Sequence, residues 1–392
     1  MLFKSFSIFF ICINSFAATT TLEDKITLPL SYYAELGVYT TPIHVGKTNA
    51  QPIEAIIDTG SSSLVFVGSP EICPTCKNEI TKGSVNPDAL QQGETKKTIN
   101  LTYGSANDKA LEFLTPLTFG AEGKGQTKMK VFVLKDSTQP SSIMGLIHYN
   151  LREDQVDFVP FLLQVTENFN KFSDLTFILC ADKGKSALHI GSYKMKEPPM
   201  LVSTRVPSKF YEIHTSGFYD KQGKPIIKTA DKFEGAIIDT GTGGFIVLDP
   251  ELFTPLHQYI FQHAGAANDK LDEKFWNENY CIIKKDVNFS AFPTVQIGFE
   301  NAKTNQVSFL KLDPKTYLNR AGCDEGYVRL VFTKGLPPAH PTALRNHHER
   351  KAQGATPAMI IGTSLLSDYA MQIHFKDNPR IEFYDNKSLC HM

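Results

Sequence analysis

The sequence has no excess of charge of either sign and no long apolar run beyond its N-terminus. Forty lysines and arginines stand against 41 aspartates and glutamates, which gives a formal net charge of −1. Nucleic acids and anionic membranes attract proteins through a basic field, so neither is expected as a partner. No stretch after residue 17 approaches the ~18 uncharged apolar residues of a membrane span, so no anchor is expected.

The N-terminus has the layout of a secretory signal peptide. Lys4 precedes the apolar run 6–13, and the small residues Ser15 and Ala17 follow it. Such a run is too short to cross a bilayer but is typical of a cleaved signal. We therefore expect residues 1–17 to be removed, the mature chain to start near residue 18, and the protein to be secreted, or periplasmic in a Gram-negative host.

Cysteine is sparse, but its number fits an oxidising compartment. Cys12 leaves with the signal peptide, and six cysteines remain. An even number in an exported chain predicts disulfides, although six cysteines allow fifteen connectivities. The sequence Cys73-Pro74-Thr75-Cys76 is compatible with a redox motif or with a small structural bridge, and the lack of a surrounding strand–helix–strand pattern favours the bridge.

The chain contains a repeated motif. Residues 55–60 and 236–241 both read Ala-Ile-Ile-Asp-Thr-Gly, and a second apolar segment follows each copy. A pair of apolar-apolar-glycine segments lies downstream, at 143–145 and 360–362. Short β-branched and aromatic segments separated by turns dominate the remainder. The sequence therefore predicts an all-β fold made of two copies of one module.

The boundary between the two copies is expected in a proline-rich, polar passage at 196–207, which is interpreted as a linker. This gives an N-terminal unit over 18–203 and a C-terminal unit over 204–392. Two helices are predicted among the strands. One starts at an aspartate followed by proline and covers 249–265, and the other covers 160–169.

The repeat suggests a function for its two aspartates. If the modules pack about a pseudo-twofold axis, Asp58 and Asp239 lie at equivalent strand ends and meet across that axis. Two carboxylates at ~3 Å cannot both ionise, so they share one proton and titrate as a pair. One can act as a general base toward water while the other, protonated, polarises a carbonyl group. This chemistry needs no metal or other cofactor, and none is expected.

The residues that follow each aspartate are expected to support the pair. The glycines let backbone N–H groups approach the carboxylates, and the next hydroxyl can hydrogen-bond the outer oxygen. The supporting residues are Thr59, Gly60, Ser61, Thr240, Gly241 and Thr242.

With these motifs, residues 30–390 resemble the pepsin-like aspartic endopeptidases. The resemblance rests on both Asp-Thr-Gly motifs, both apolar-apolar-glycine segments and Tyr103-Gly104-Ser105. It implies two pseudo-twofold-related β-lobes with a cleft between them, a monomer, and hydrolysis of proteins or peptides with a bell-shaped optimum at acidic pH. It also implies a preference for large apolar residues at the cut, and places Tyr103, Gly104 and Ser105 on a flap that closes over substrate.

The chain departs from the family pattern in two places. Where the family usually has a tryptophan bonded to the flap tyrosine, this chain has Val65, and its single tryptophan is Trp276. The flap is therefore expected to be held differently. Only residues 18–31 separate the expected signal cleavage site from the first strand region, so we expect the protein to be made without a long pro-segment.

The resemblance also implies how the cysteines pair. Pepsin-like proteins carry a disulfide in the second half, where Cys281 and Cys323 lie. In this fold the segments around Cys180 and Cys390 belong to a sheet that joins the lobes. The implied pairs are Cys73–Cys76, Cys180–Cys390 and Cys281–Cys323.

The passage 337–357 looks inserted relative to the family. It is rich in proline and contains the basic residues His340, Arg345, His347, His348, Arg350 and Lys351. Two interpretations stay open: a solvated surface loop, or an edge of the cleft that becomes more cationic below pH ~6.5 and favours acidic substrate residues. A metal site is not expected, because the adjacent histidines lack spaced ligands.

Two other functions use similar parts. One is a pepsin-like protein that binds or inhibits without turnover, but such proteins commonly lose an aspartate or the glycine after Asp-Thr, and this chain keeps both. The other is a glycosidase, whose two carboxylates are ~5–10 Å apart. A glycosidase explains neither the duplication nor the Tyr-Gly segment.

Overall fold

The computed structural model describes residues 25–46, 51–77, 81–86, 88, 90, 97–103, 106–119, 127–148, 159–168, 173–180, 185–204, 208–229, 233–301, 304, 306–335, 356–366, 368–376 and 378–390. Several expectations lie outside these residues. They are the signal peptide at 1–17, the following residues 18–24, Gly104 and Ser105 of the expected flap, and 337–355 of the insertion.

Strands occur throughout the described chain, because its β-branched and aromatic residues favour extended backbone. The first half contains β1 Lys25–Pro29, β2 Ser31–Tyr33, β3 Val38–Val45, β4 Ile53–Asp58, β5 Leu64–Val67, β6 Thr98–Tyr103, β7 Ala106–Phe119, β8 Thr127–Ser137, β9 Ile143–Gly145, β10 Asp174–Ile178, β11 Ala187–Gly191 and β12 Leu201–Thr204. The second half contains β13 Glu212–Ile213, β14 Thr215–Asp220, β15 Pro225–Lys228, β16 Phe233–Ile238, β17 Ile246–Leu248, β18 Ile282–Ile283, β19 Val295–Glu300, β20 Val307–Leu312, β21 Leu318–Asn319, β22 Tyr327–Leu330, β23 Phe332–Lys334, β24 Thr356–Ile361, β25 Tyr369–His374 and β26 Arg380–Asp385. The fold is therefore mostly β.

Helices are short by comparison. They span Phe161–Asn168, Pro250–Ala264, Glu273–Glu278, Pro314–Tyr317, Thr363–Leu366 and Lys387–Cys390, with 3-10 turns at Thr240–Thr242, Lys284–Asp286 and Phe289–Ala291. The longest helix begins after Asp249, whose side chain accepts a hydrogen bond from the Glu251 N–H at 2.9 Å. Both helices predicted from the sequence are present.

Two sheets repeat one arrangement of four strands. In the first sheet, β4 is parallel to β9, β9 is antiparallel to β5, and β5 is parallel to β8. In the second sheet, β16, β24, β17 and β23 make the same three pairings in the same order. The first sheet extends to eight strands and the second to five. The duplication in the sequence is thus matched by a duplication of topology.

A six-stranded sheet contains strands of both halves, in the order β1-β11-β10-β25-β26-β12. The two halves join where β10 runs antiparallel to β25. The passage at 196–207, interpreted as a linker, supplies β12, which pairs with β26 over four residues. The expected boundary between 203 and 204 therefore falls inside a strand, because the polar backbone of this passage is satisfied by the sheet.

Three disulfides are formed, with S–S distances of 2.00, 2.07 and 2.01 Å. They are the pairs that the resemblance implies: Cys73–Cys76, Cys180–Cys390 and Cys281–Cys323. Disulfides fit an extracellular location. Within the described part of the chain, no helix has both the length and the apolar character needed to cross a membrane.

Candidate active site

The aspartates of the two repeats lie at equivalent ends of equivalent strands. Asp58 is the last residue of β4, and Asp239 directly follows β16. In the neighbouring parallel strands, Gly145 is paired with Asp58, and Ile361 is paired with Ile238. Each aspartate therefore leaves its sheet beside one of the apolar-apolar-glycine segments.

The glycines of those two segments are required by close backbone contact. A Cβ atom on Gly145 would lie 2.5 Å from the backbone nitrogen of Ser63, and one on Gly362 would collide with the carbonyl oxygen of Gly243. No side chain fits at such distances. In each repeat, the chain that follows Asp-Thr-Gly is thus packed directly against the neighbouring strand.

Thr59 and Thr240 join the two repeats through reciprocal hydrogen bonds. The Thr59 N–H donates to Thr240 Oγ1 at 3.1 Å, and the Thr240 N–H donates to Thr59 Oγ1 at 3.0 Å. The Thr59 hydroxyl donates to the carbonyl of Ile238 at 2.9 Å, and the Thr240 hydroxyl donates to that of Ile57 at 2.8 Å. Because both threonines are completely buried and adjoin the aspartates, these bonds fix the relative position of the aspartates.

Asp58 and Asp239 contact the same pair of glycines. The Gly60 N–H donates to Asp58 Oδ1 at 2.7 Å, while a Cβ on Gly60 would lie 2.6 Å from Asp239 Oδ1. Likewise, the Gly241 N–H donates to Asp239 Oδ1 at 2.9 Å, while a Cβ on Gly241 would lie 2.5 Å from Asp58 Oδ1. The same Cβ position on Gly241 is 3.2 Å from Asp239 Oδ1, so the two carboxyl groups lie next to each other. The structure therefore brings both carboxyl groups together, with a glycine from each repeat against them.

The environment of the pair favours holding a proton. Asp58 is only 8% exposed. Burial raises the pKa of Asp58 well above its ordinary value, and the adjacent negative charge of Asp239 raises it further. The Ser61 hydroxyl and the Gly60 N–H lower this pKa, but burial and repulsion outweigh them. Asp58 therefore keeps its proton at pH values where an ordinary carboxyl group has lost its own.

The hydroxyl groups that follow the two glycines behave differently. The Thr242 hydroxyl donates to Asp239 Oδ2 at 2.7 Å, as the sequence predicts. The buried Ser61 hydroxyl makes no hydrogen bond of good geometry to any described residue, although it lies close enough to Asp58 to lower the pKa of that carboxyl group. Asp239 therefore accepts two hydrogen bonds, from the Gly241 N–H and the Thr242 hydroxyl. Among the described residues, Asp58 accepts one hydrogen bond of good geometry, from the Gly60 N–H.

The expected flap residue Tyr103 is the last residue of β6, and it is paired with Ala106 at the start of β7. Its side chain, Gly104 and Ser105 lie outside the described residues. The base of this hairpin packs on an apolar cluster that is separate from the main core and consists of Val65, Val67, Ile99, Leu101, Ala110, Phe132 and Leu134. Val65, at the position usually occupied by tryptophan, is completely buried there. Apolar packing thus holds the base of the hairpin.

The structure also reveals inter-repeat contacts that the sequence did not suggest. The Tyr211 hydroxyl donates to the carbonyl of Leu146 at 2.7 Å, and the Thr363 hydroxyl donates to the carbonyl of Gly37 at 2.7 Å. These partners are distant in sequence, so no local sequence pattern predicts the contacts. Both contacts add to the connection between the repeats.

Comparison of the chain with protein-family models and with curated proteins gives no match. Among the residues that the structure describes, no group of three or more His, Cys, Asp or Glu side chains is placed to hold a metal ion. The case for a function therefore rests on the geometry of the aspartate pair.

Proposed function

We propose that this protein is a secreted, pepsin-like aspartic endopeptidase that hydrolyses proteins or peptides at acidic pH. The observation that carries the proposal is the adjacent pair Asp58–Asp239, held by reciprocal contacts between two topologically equivalent sheets. The repeated topology supports two lobes with the cleft between them. Both aspartates belong to one chain, so a monomer has a complete site.

The proposed reaction begins with the proton on Asp58 and the charge on Asp239. Asp239 takes a proton from a water molecule as the water oxygen attacks the peptide carbonyl carbon, and Asp58 gives its proton to the carbonyl oxygen. The tetrahedral diol then returns one hydroxyl proton to Asp58. Asp239 transfers its proton to the amide nitrogen as the C–N bond breaks, which restores the starting state of both carboxyl groups.

Unequal support of the two carboxyl groups explains this assignment. Asp239 accepts hydrogen bonds from the Gly241 N–H and the Thr242 hydroxyl, and both bonds favour a charged carboxylate. Asp58 is buried against that charge, which favours its protonated form. Because the two groups titrate together, the activity should fall when the pair gains a second proton or loses its only one.

The contact between the carboxyl groups also separates this function from the alternatives. A glycosidase needs ~5–10 Å between its carboxylates. Here Asp58 Oδ1 and Asp239 Oδ1 lie 2.5 and 3.2 Å from the same point, the Cβ position of Gly241. A protein that binds without turnover has no need of the complete set of supporting contacts, and here both glycines donate to their aspartates.

The test is digestion of a peptide library by the secreted protein between about pH 3 and pH 7, with and without a statine-type transition-state mimic. We expect cleavage on the acid side of neutral that the mimic abolishes. Asp58→Asn and Asp239→Asn should each abolish it too, whereas Asp368→Asn, at a half-buried carboxyl group whose pKa burial also raises, should retain it. Cleavage that survives both active-site substitutions would overturn the proposal.

A further inference from the structure

Arg329 is a half-buried cation with an unused hydrogen-bond donor. It lies in β22, where its neighbours Val328 and Leu330 are buried in the core, so the arginine side chain leaves the opposite face of the strand. Its Nε atom is buried and has no hydrogen-bond partner among the residues that the structure describes. Within the described residues Arg329 forms no ion pair with a carboxylate. Burying such a donor and charge is costly unless a ligand satisfies them.

The guanidinium group lies against an aromatic ring. It lies over the ring of Phe245, 5.0 Å from the centroid. Phe245 is itself fixed to the second repeat, because its carbonyl accepts a hydrogen bond from the Gly362 N–H at 2.8 Å. Stacking on an aromatic face leaves the edge of a guanidinium group, which carries its N–H donors, available to a planar acceptor.

This arginine lies where the two halves of the chain meet. A Cβ on Gly322 would be 3.3 Å from Arg329 Nη1 and 3.6 Å from the carbonyl oxygen of Glu35, which belongs to the first half. The Gly322 N–H donates to the carbonyl of Ala34 at 3.2 Å. Arg329 therefore lies beside a contact between the two halves, and the proposed cleft runs between the same two halves.

The distance from the aspartate pair suits a contact with a peptide substrate. Phe245 follows Asp239 by six positions (245 − 239), which limits the separation of their Cα atoms to about 20 Å. An extended peptide advances ~3.3 Å per residue. A substrate residue up to about six positions from the cleaved bond therefore spans the same range of distances from the aspartates as Phe245, the residue that Arg329 contacts.

We propose that Arg329 is a specificity determinant that binds the carboxylate of a glutamate or aspartate side chain a few residues from the cleaved peptide bond. The inference rests on the proposed function and adds a substrate class to it. A guanidinium group matches a carboxylate with two parallel hydrogen bonds, and the partly desolvated position of Arg329 strengthens them. Phe245 orients the guanidinium group for this contact.

The proposed contact has a characteristic pH dependence. Arginine stays protonated throughout the acid range, even though burial lowers the pKa of Arg329 from its ordinary value. A substrate glutamate ionises only above about pH 4.3. Preference for glutamate over glutamine should therefore be absent at about pH 3.5 and appear as the pH rises to about 5.5. A merely structural role of Arg329 would not produce this change.

The experiment compares pairs of C-terminally amidated peptides that differ only by Glu or Gln, placed in turn at the third to sixth positions on each side of the cut. The measured quantity is the ratio of kcat/KM for the two peptides. At one position the wild-type enzyme should favour Glu about tenfold near pH 5.5 and show no preference near pH 3.5. Arg329→Gln should show no preference at either pH, and Arg329→Lys should keep part of it.

Two controls distinguish a contact with Arg329 from a general attraction of acidic peptides to basic residues elsewhere in the protein. Arg320→Gln removes an exposed arginine nine positions earlier (329 − 320) and should leave the ratio unchanged. Deletion of 340–353 should also leave it unchanged; a loss of preference in that variant alone would assign the preference to the inserted passage and overturn the role of Arg329. A wild-type enzyme without preference at every position would overturn it as well.

The failure of the proposed function would be recognised separately. If the wild-type protein cleaves no peptide, calorimetric binding of the Glu and Gln peptides near pH 5.5 tests Arg329 directly. Tighter binding of the Glu peptide that disappears in Arg329→Gln supports the carboxylate site without catalysis. Equal binding of the two peptides rejects the site.

Discussion

The reciprocal contact between Thr59 and Thr240 makes a sharp quantitative prediction. Thr59→Val keeps the shape of the side chain but removes its hydroxyl, so the Thr240 N–H and the carbonyl of Ile238 lose their buried partners. Each unsatisfied buried group costs about 1–3 kcal/mol, so we expect a loss of about 2–6 kcal/mol in the free energy of unfolding. The activity should fall by about a hundredfold or more, because a misplacement of ~1 Å is enough to disable a catalytic pair.

The assay combines denaturant unfolding with kcat/KM on one peptide. The matched control is Thr41→Val, because Thr41 is equally buried but its hydroxyl has no hydrogen-bond partner in the described part of the chain. Removing that hydroxyl should leave stability unchanged or slightly improved, with activity retained. If Thr59→Val were no more damaging than Thr41→Val, the threonine contact would not be what positions the aspartates.

Two further predictions concern the site and the sheet that joins the halves. Gly241→Ala should lower kcat/KM by about a hundredfold or more, because its Cβ would lie 2.5 Å from Asp58 Oδ1; unchanged kinetics would show that the carboxyl group can move aside. For His374, burial lowers the pKa, but the hydrogen bond between Nδ1 and Asp174 and the Glu382 carboxylate 3.4 Å from Nε2 outweigh it and raise the pKa above 6.5. The stability that the charged form contributes is therefore present below that pH and is lost as the pH rises through the raised pKa. The free energy of unfolding of the wild type should exceed that of His374→Gln at low pH, and this difference should shrink as the pH rises. A difference that grows with pH would contradict the prediction.

Much of the candidate site was predictable because local sequence patterns encode it. The two Asp-Thr-Gly copies identified the aspartates, and the small residues after them indicated close backbone approach. The helix Pro250–Ala264 was predictable for a similar reason, since its N-cap Asp249 and its apolar spacing are local features. Such patterns depend on neighbours in the chain and need no knowledge of distant contacts.

Other features could not be predicted because their causes are distant in sequence. The passage 196–207 reads as a linker, yet four of its residues form β12, because β26 offers a partner for their backbone. Val65 stands where the pepsin-like proteins that the sequence resembles usually have a tryptophan, and its burial depends on β6 and β7, which are distant in sequence. The environment of Arg329, with Nε lacking a partner among the described residues and the guanidinium group over Phe245, likewise depends on residues that are distant in sequence.

The sequence by itself determined that the chain is duplicated, that each copy carries one aspartate beside a glycine, and that short strands predominate. Tertiary structure alone decided that Asp58 and Asp239 lie next to each other and that the pKa of Asp58 is raised. The physical reason is that desolvation and charge repulsion depend on distances between groups 181 positions apart (239 − 58), which only the packing of one repeat on the other creates.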